Sequence, residues 1–313
     1  MQSSMQPTFE DFKIWPLPLG LKCQFLAMAS QCEIVLHDSS MAYKDLEIIA
    51  KKCFQEIKRI EHKYSRYIPD SVIGLINQSS GEKAQPIDLE TYELLSFANE
   101  LFQNSQGLFD ITSGILRKAW DFKQGIVPDQ TTIAKLLPLI SWSLVQYSQG
   151  NVFLPIKDME IDFGGFGKEY AADRAAKILI QDHIKSGYVN LAGDIKVVGP
   201  KLDGESWQMG IQHPRIHDKL IASIPIHLGA LATSGDYERF FIQDNHRYCH
   251  ILRPDTGCPV SYWQSVSVLA PLTIVAGSCS TIAMLMQKDA LNYLDKTGFS
   301  YLAIDTDGLF YKK

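Results

Sequence analysis

Three closely spaced glycines, between an alternating segment and a helical pattern, form the stretch best suited to bind an anion. Residues 159–178 read MEIDFGGFGKEYAADRAAKI. Met159, Ile161 and Phe163 alternate with acidic residues, as in a half-buried strand, and apolar residues recur at helical spacing after the glycines. A strand, a glycine turn and a helix direct backbone N–H groups at an anion, and glycine permits close approach or a positive φ. The segment therefore predicts a diphosphate cradle.

The same residues also fit a turn that binds nothing. Lys168 is followed by Glu169 rather than by Ser or Thr, so the segment is not a P-loop. It does not match the dinucleotide-binding fingerprint either. Taken alone, a tight strand-to-helix turn without a ligand explains this segment equally well.

Four other polar clusters contain residues that could take part in chemistry. They are NLAGDI at 190–195, SGDYERFF at 234–241, HILRPDTGCPV at 250–260 and the small residues at 277–281. Turn formation accounts for most clusters of Gly, Asp and Ser, and Thr281 could simply bond to the backbone of its own helix. Each cluster taken singly therefore fits a structural role better than a functional one.

Composition and charge limit the classes of function. The chain has 313 residues, 46% of them hydrophobic and 21% charged, with a net charge of −5. Such a chain can bury an ample core in one large or two smaller domains. Its acidic balance argues against sequence-independent binding of nucleic acid. The sequence contains no apolar run long enough to predict a membrane span.

Cysteine usage and the N-terminal residues predict a cytoplasmic location. The six cysteines show no CxxC spacing, which is typical of reduced thiols without a zinc site. The first residues lack the basic and apolar regions of a secretory signal and the cysteine of a lipoprotein signal. We therefore expect a cytoplasmic protein.

The elements that position these residues predict an α+β fold with mixed, largely antiparallel sheets and flanking helices. Helical spacing predicts helices over residues 43–64, 71–77 (with Ser71 as the cap), 89–102, 128–140 and 274–286. Strand patterns occur at residues 24–36, 152–156, 159–163, 188–191, 195–198, 207–211, 221–228, 239–242, 250–252, 265–269, 301–304 and 309–311.

Taken in order, the motifs resemble those of one family. FDITSG, DFGGFGKEYAADRAA, VNLAGDI, ATSGDYERF, HILRPDTGCPV and AGSCSTIAML are similar to motifs of the FAD:protein FMN transferases, the ApbE family. The similarity begins near FLAMAS and SRYIPDSVIGLIN and continues to the C-terminus. It implies an N-terminal extension at residues 1–20. Residues 21–313 would form one flavin transferase domain of two intertwined α+β subdomains, a two-part architecture closing over a flavin.

The resemblance also implies an activity and its site. Members of the family transfer FMN from FAD to a Thr or Ser of an acceptor protein through a phosphoester, release AMP and use Mg²⁺. His250 would bind the diphosphate or carry a proton, and Asp236 would contribute a polar contact. Positions expected to contact FAD are Met28, Tyr67, Asn77, Leu108, Phe109, Asp110, Asp162, Gly164, Gly165, Lys168 and Ile251.

The last helix departs from the family's metal-binding pattern A-D-A-x-x-T. In that pattern the Asp binds the metal with the Thr and a backbone carbonyl of the glycine turn. Here Gly277 replaces the Asp, which leaves Thr281 and the carbonyl of Gly165. Mg²⁺ is commonly held by one or two carboxylates with substrate phosphates. Here the metal would have to depend on the diphosphate and water, or on a carboxylate elsewhere, such as Asp194 or Asp236.

Three functions remain open at this point. The chain could be an active flavin transferase, a FAD-binding protein or FAD pyrophosphatase with a weakened metal site, or a partner-binding protein that keeps only the fold. Retention of the glycine turn, SGDY and PDTG argues against the third. The missing Asp separates the first from the second, and we favour the first because the remaining motifs are nearly complete and a neighbouring position can supply a ligand. Residues 110–116, DITSGIL, begin like the family's acceptor motif, Asp-x-x-Ser/Thr-Gly/Ser-Ala-Thr, but end differently, and we interpret them as part of the FAD pocket.

Overall fold

The computed structural model describes residues 12–313. Residues 1–11, which make up about half of the predicted N-terminal extension, lie outside the described residues. The helices are α1 (Tyr43–Tyr64), α2 (Val72–Gln78), α3 (Leu89–Asn104), α4 (Gln130–Leu136), α5 (Gly167–Gln181), α6 (Thr273–Met286) and α7 (Ala290–Thr297).

Within residues 12–313, sixteen strands complete the α+β fold that the sequence predicts. They are β1 (Lys13–Leu17), β2 (Gly20–Ala27), β3 (Ser30–His37), β4 (Gln85–Pro86), β5 (Gln146–Ser148), β6 (Asn151–Phe153), β7 (Ser186–Leu191), β8 (Asp194–Gly199), β9 (Trp207–Gln212), β10 (Leu220–Ile226), β11 (Gly229–Gly235), β12 (Phe240–Gln243), β13 (His246–Cys249), β14 (Trp263–Ala270), β15 (Ser300–Asp305) and β16 (Phe310–Lys312). The pairs β1–β2, β2–β3, β3–β7, β7–β8, β8–β11 and β15–β16 are antiparallel, as expected.

The chain divides into two compact units, and each is built from three separate stretches. The first comprises the described residues up to His62, Phe166–Thr233 and Leu269–Gly277. Its strands lie in the order β1-β2-β3-β7-β8-β11. Helix α1 packs on β2 through Phe54 and Phe25, whose rings lie 5.1 Å apart, and helix α5 packs on β7 and β8.

The second unit comprises Lys63–Gly165, Ser234–Val268 and Ser278–Lys313. It contains the small sheet β4-β6-β5, the pair β12 and β13, and the strand order β14-β15-β16. Helices α2, α3 and α4 of this unit all begin at side-chain caps. Ser71 Oγ accepts the N–H of Gly74 at 2.8 Å, which confirms the predicted cap, and Asp88 Oδ1 accepts the N–H of Thr91 at 3.0 Å.

Several predicted strands differ from the structure. Residues 24–36 form two paired strands rather than one, because the chain reverses at Met28 and Ala29 with φ values of 51° and 58°. Two consecutive positive φ values are typical of a type I′ hairpin turn, which usually contains Gly or Asn. The predicted strand 250–252 is wrong, since β13 ends at Cys249 and Leu252 makes only an isolated bridge. Strands β1, β4, β5, β11 and β13 and helix α7 were not predicted.

Within residues 12–313, no helix is both long enough and apolar enough to cross a bilayer.

All six cysteines are free thiols, and five are buried. Burial raises the pKa of Cys23 to about 12 and those of Cys32 and Cys249 to about 11, and it also raises the pKa of Cys53 and Cys279. Only Cys258 is partly exposed. Because the thiolate is the reactive form, the five buried thiols should react slowly in the native protein.

We therefore predict a single fast-reacting thiol when native protein is titrated with a chromogenic disulfide reagent at pH 8. All six thiols should react once the protein is unfolded in denaturant. The Cys258→Ser variant is the matched control and should lose the fast phase. A second fast thiol, or a fast phase that survives in the variant, would contradict this arrangement of the core.

Candidate functional site

The extended segment before the glycine turn is held by side chains and does not pair as a strand. Residues 159–163 alternate buried and half-buried as predicted, but the predicted hairpin with 152–156 is wrong. Asn77 takes the place of a strand partner, because its Oδ1 accepts the N–H of Ile161 at 2.8 Å and its Nδ2 donates to the same residue's carbonyl at 3.0 Å. The next N–H, that of Asp162, donates to the carbonyl of Ile111 at 2.9 Å.

The Asp162 carboxylate organises the turn itself. Its Oδ1 accepts the N–H of Gly164 at 2.9 Å, and its Oδ2 forms an ion pair with Arg66. A Cβ on Gly114 would lie 2.6 Å from the Cβ of Asp162, so glycine is needed there for the close approach. Asp162 is therefore already engaged by two donors within its own unit.

Gly165 is required for space and not for an unusual backbone conformation. Neither Gly164 nor Gly165 has a positive φ, which corrects one of the two reasons that the sequence suggested for glycine. A Cβ on Gly165 would lie 2.8 Å from Cζ of Phe109, a ring that is itself buried. The turn is thus kept free of side-chain bulk by the residues packed against it.

Asp110 fixes the loop that holds Leu108 and Phe109. Its Oδ1 accepts the N–H and the hydroxyl of Thr112 at 2.7 and 2.6 Å, and its Oδ2 accepts the N–H of Trp142 at 3.0 Å. Burial raises the pKa of Asp110. These protein donors occupy both oxygens of Asp110. The contact of Asp110 with FAD stays a prediction.

A cavity of about 310 Å³ in the second unit brings together Tyr67 and Asn77 of the predicted set. Tyr67 is 73% exposed, and the guanidinium of Arg66 lies 4.9 Å from its ring centroid. Arg117 and Lys118 line the same cavity and both pair with Glu160. An exposed aromatic ring beside several cations suits a ligand that combines a flat ring with phosphate.

In the first unit, the predicted residues lie at the start of α5 and at the β2–β3 hairpin. Phe166 occupies the N-cap position of α5 and makes no side-chain cap bond. Lys168 Nζ lies 2.7 Å from Oδ2 of the buried Asp194, so the expected phosphate-binding lysine is paired with a carboxylate. Met28 is half-buried at the hairpin tip, where its N–H donates to the Glu61 carboxylate.

Glu169 is a buried carboxylate that the sequence analysis did not select. It is 6% exposed, and its Oε2 has no hydrogen-bond partner among residues 12–313. A Cβ on Gly277 would lie 2.5 Å from its Oε1. Burial and the neighbouring Asp194 carboxylate raise the pKa of Glu169. The available signal was an acidic residue at position 169 in a chain that has glycine at position 277.

The HILRPDTGCPV motif forms a closed loop after β13. His250 is exposed, and its N–H donates to the carbonyl of Arg239 at 3.0 Å. The carbonyl of Ile251 accepts the N–H of Val260 at 3.0 Å. Gly257, at a φ of 68°, closes the turn by donating its N–H to the carbonyl of Arg253 at 2.9 Å. The loop therefore presents His250 from a well-ordered base.

Asp236 and Thr281 both lie in the second unit. Asp236 is buried and lies 3.9 Å from Nε of Arg247. Thr281 Oγ1 is 2.9 Å from Oγ of Ser234, which is also 2.8 Å from Oγ of Ser280. In the part of the chain that the structure describes, no three His, Cys, Asp or Glu side chains are grouped to hold a metal ion.

Comparison with known proteins now decides the family. The sequence profile of the ApbE family matches residues 28–303. This chain belongs to the ApbE family. The match covers the glycine turn, the PDTG loop and helix α6, in which the family's metal-binding pattern falls. The six motifs of the sequence resemblance therefore all lie within it.

Curated and structural relatives in the ApbE family agree with this assignment. A FAD:protein FMN transferase of Klebsiella pneumoniae is 30% identical over 73% of this chain and 72% of its own length. One from Haemophilus influenzae is 26% identical over 82% of this chain and 78% of its own length. The crystal structure of the ApbE protein of Thermotoga maritima matches with a TM-score of 0.86 and 29% identity, covering 96% and 97% of the two chains.

The two hydrogen bonds between the Asn77 side chain and the backbone of Ile161, here called the Asn77 clamp, lead to a stability prediction for this ApbE-family chain. Asn77→Ala should leave the buried N–H and carbonyl of Ile161 unsatisfied and lower the free energy of unfolding by about 2 kcal/mol or more. Gln78→Ala is the matched control, because Gln78 is exposed and its amide bonds only to Pro69 O at 2.7 Å. That variant should lose at most about 0.5–1 kcal/mol. Equal losses in urea unfolding would show that the clamp does not hold the segment.

Proposed function

We propose that this chain transfers FMN from FAD to a Thr or Ser hydroxyl of an acceptor protein, with release of AMP and dependence on Mg²⁺. The names of its curated relatives support the class of reaction. The observation that carries the proposal is the glycine turn. Phe109 leaves no room for a side chain at Gly165, the Asp162 carboxylate crowds the position of a Cβ at Gly164, and the helix that follows has no side-chain cap.

A turn of this kind can approach a diphosphate closely. Its backbone and the positive end of the α5 dipole favour negative charge, which a side chain would otherwise hold at a distance. Our proposed FAD contacts are the residues expected from the family: Met28, Tyr67, Asn77, Leu108, Phe109, Asp110, Asp162, Gly164, Gly165, Lys168 and Ile251. Among them, Asn77, Asp110 and Asp162 also hold the turn in place through the contacts described above.

The proposed reaction balances as a single phosphoryl exchange. The acceptor hydroxyl oxygen forms a bond to the FMN phosphorus, the bond from that phosphorus to the bridging oxygen breaks, and AMP leaves. The hydroxyl proton passes to the exposed imidazole of His250, the side chain best suited to accept a proton near neutral pH. Asp236 is proposed as a further polar group. Such a reaction depends mainly on positioning and charge neutralisation.

Mg²⁺, when bound, supplies neutralisation of the diphosphate charge. The residues that we propose to hold it include the carbonyl of Gly165 and the hydroxyl of Thr281, which are hard oxygen ligands of the kind that Mg²⁺ prefers. The buried Glu169 oxygen without a hydrogen-bond partner, in the part of the chain described, is consistent with a cation. The residues present therefore fit the metal.

A FAD-binding protein or FAD pyrophosphatase is the alternative, and the missing Asp at position 277 is the observation that favours it. The Glu169 carboxylate beside Gly277 weakens this argument, because the chain still carries an acidic group at that place. We therefore retain transfer as the proposed function and use the assay below to separate the two activities.

The transfer reaction can be tested with a synthetic peptide that carries the family's acceptor motif and ends in Thr. With FAD and Mg²⁺, the peptide should gain the mass of one FMN less one water, and AMP should appear in equal amount. A peptide with Val in place of the Thr is the control and should gain nothing. His250→Ala should lower the transfer rate by about 10²–10⁴-fold, the usual contribution of a general base.

Two results would contradict the proposal in different ways. AMP and free FMN without peptide modification would identify a pyrophosphatase. No AMP and no modified peptide would exclude both activities for this acceptor motif, and FAD binding alone would then remain.

A further inference from the structure

We propose that Glu169 supplies the metal-binding carboxylate of this chain, in place of the Asp that the family pattern has at position 277. The inference rests on the proposed function and deepens it, because it assigns a metal ligand that the family pattern does not provide here. The acidic side chain of the site then lies on α5, at position 169, and not on α6, where position 277 is glycine.

The Glu169 side chain lies against the backbone of Gly277. A Cβ built on Gly277 would lie 2.5 Å from Oε1, 2.6 Å from Cγ and 2.9 Å from Cδ of Glu169. The Glu169 carboxylate therefore occupies the space into which a side chain at position 277 would extend. The two residues are complementary, since a carboxylate from one helix fits only because the other helix has glycine at the contact.

Asp173 fixes the contact between helices α5 and α6. Asp173 follows Glu169 by one turn of α5, and its two carboxylate oxygens accept the N–H groups of Thr273 and Ile274 at 2.9 Å each. Those residues begin α6. Asp173 therefore caps α6 and holds it against α5, which sets Gly277 beside Glu169.

One carboxylate oxygen of Glu169 has no hydrogen-bond partner among the described residues. Three carboxylates, those of Glu169, Asp173 and Asp194, interact electrostatically at the start of α5. Asp173 is bonded to α6 and Asp194 to Lys168, but Oε2 of Glu169 is buried without a hydrogen-bond partner among the described residues. A buried polar atom without a partner is unfavourable in either protonation state, and a bound cation would satisfy it.

The charge balance points the same way. The acidic side chains of Asp173 and Asp194 lie close enough to Glu169 to interact with it, and Lys168, which pairs with Asp194, is the cation beside them. A divalent cation would offset the accumulated negative charge. Mg²⁺ accepts one or two protein carboxylates and completes its shell with water and substrate phosphates, so a single glutamate here is sufficient.

The exchange predicts an unusual result for the variant that restores the family's residue. Gly277→Asp alone should bind metal more weakly than wild type, because the new Cβ meets the Glu169 carboxylate and adds another acid to the cluster. The double variant Glu169→Gly/Gly277→Asp removes that conflict and should recover metal binding. A simple repair of a deficient site would instead make the single variant the better binder.

The experiment is a Mn²⁺ titration of the full chain, followed by loss of the free-ion electron paramagnetic resonance signal, without FAD and with FAD. Wild-type protein should bind a single Mn²⁺ in at least one of the two conditions. Glu169→Gln, which keeps the side-chain shape, should raise the Kd at least about tenfold, the usual effect of disturbing a metal site. Asp182→Asn is the matched control, because Asp182 ends α5 in an exposed ion pair with Lys52.

The outcomes separate this inference from the proposed function. Undiminished Mn²⁺ affinity in Glu169→Gln, no Mn²⁺ binding by wild type in either condition, or a folded double variant that fails to recover binding would overturn it. FAD binding measured by flavin fluorescence in the presence of a chelator tests the proposed function separately. If FAD does not bind, the Mn²⁺ comparison without FAD still decides the role of Glu169.

Discussion

The glycine turn depends on side chains that hold an extended backbone segment without a neighbouring strand. Asn77 bonds both backbone groups of Ile161, and Asp162 joins the turn to Arg66. Phe109 closes the other side of the turn at Gly165. Because these contacts take up the space that side chains at Gly164 and Gly165 would need, the glycine backbone is the part of the turn that a ligand can approach. Several of the residues that we propose to contact FAD are thus also the residues that build the turn.

The start of α5 shows how the proposed metal site can keep a carboxylate although position 277 has none. On α6 alone, Gly277 removes the Asp of the family pattern, yet the adjoining helix places Glu169 at the same point. A carboxylate oxygen without a hydrogen-bond partner at this buried position, within the described part of the chain, is unfavourable for folding but suits cation binding. The loss of one acidic residue therefore need not mean the loss of the activity.

The sequence predicted the parts of the fold in which local pattern and tertiary environment agree. Helix α1 has the predicted bounds because 22 residues of amphipathic spacing leave little ambiguity, and the Ser71 cap follows from local hydrogen bonding. The Met28–Ala29 hairpin was missed because neither residue is a usual type I′ turn former. Strand β11 was missed because its small residues, such as those of ATSG, resemble a turn.

The candidate site was predictable only in part, for the same reason. The motifs identified the glycine turn and the PDTG loop, but a helical Glu after Lys168 is ordinarily expected on the surface, where it favours the N-terminus of a helix. Its burial depends on α6, which lies about 100 residues away in sequence, and no local pattern reports that contact. The pairing of Lys168 with Asp194 is likewise a tertiary feature.

The most direct test of the central claim, that the glycine turn grips a diphosphate, is calorimetric titration of the wild-type chain with FAD and with FMN. The two ligands share the flavin ring, but only FAD carries the diphosphate. The account predicts measurable heat and a clearly lower Kd for FAD, with ADP competing for the same site. Equal affinity for FAD and FMN, or no heat with FAD in the presence and absence of Mg²⁺, would contradict it.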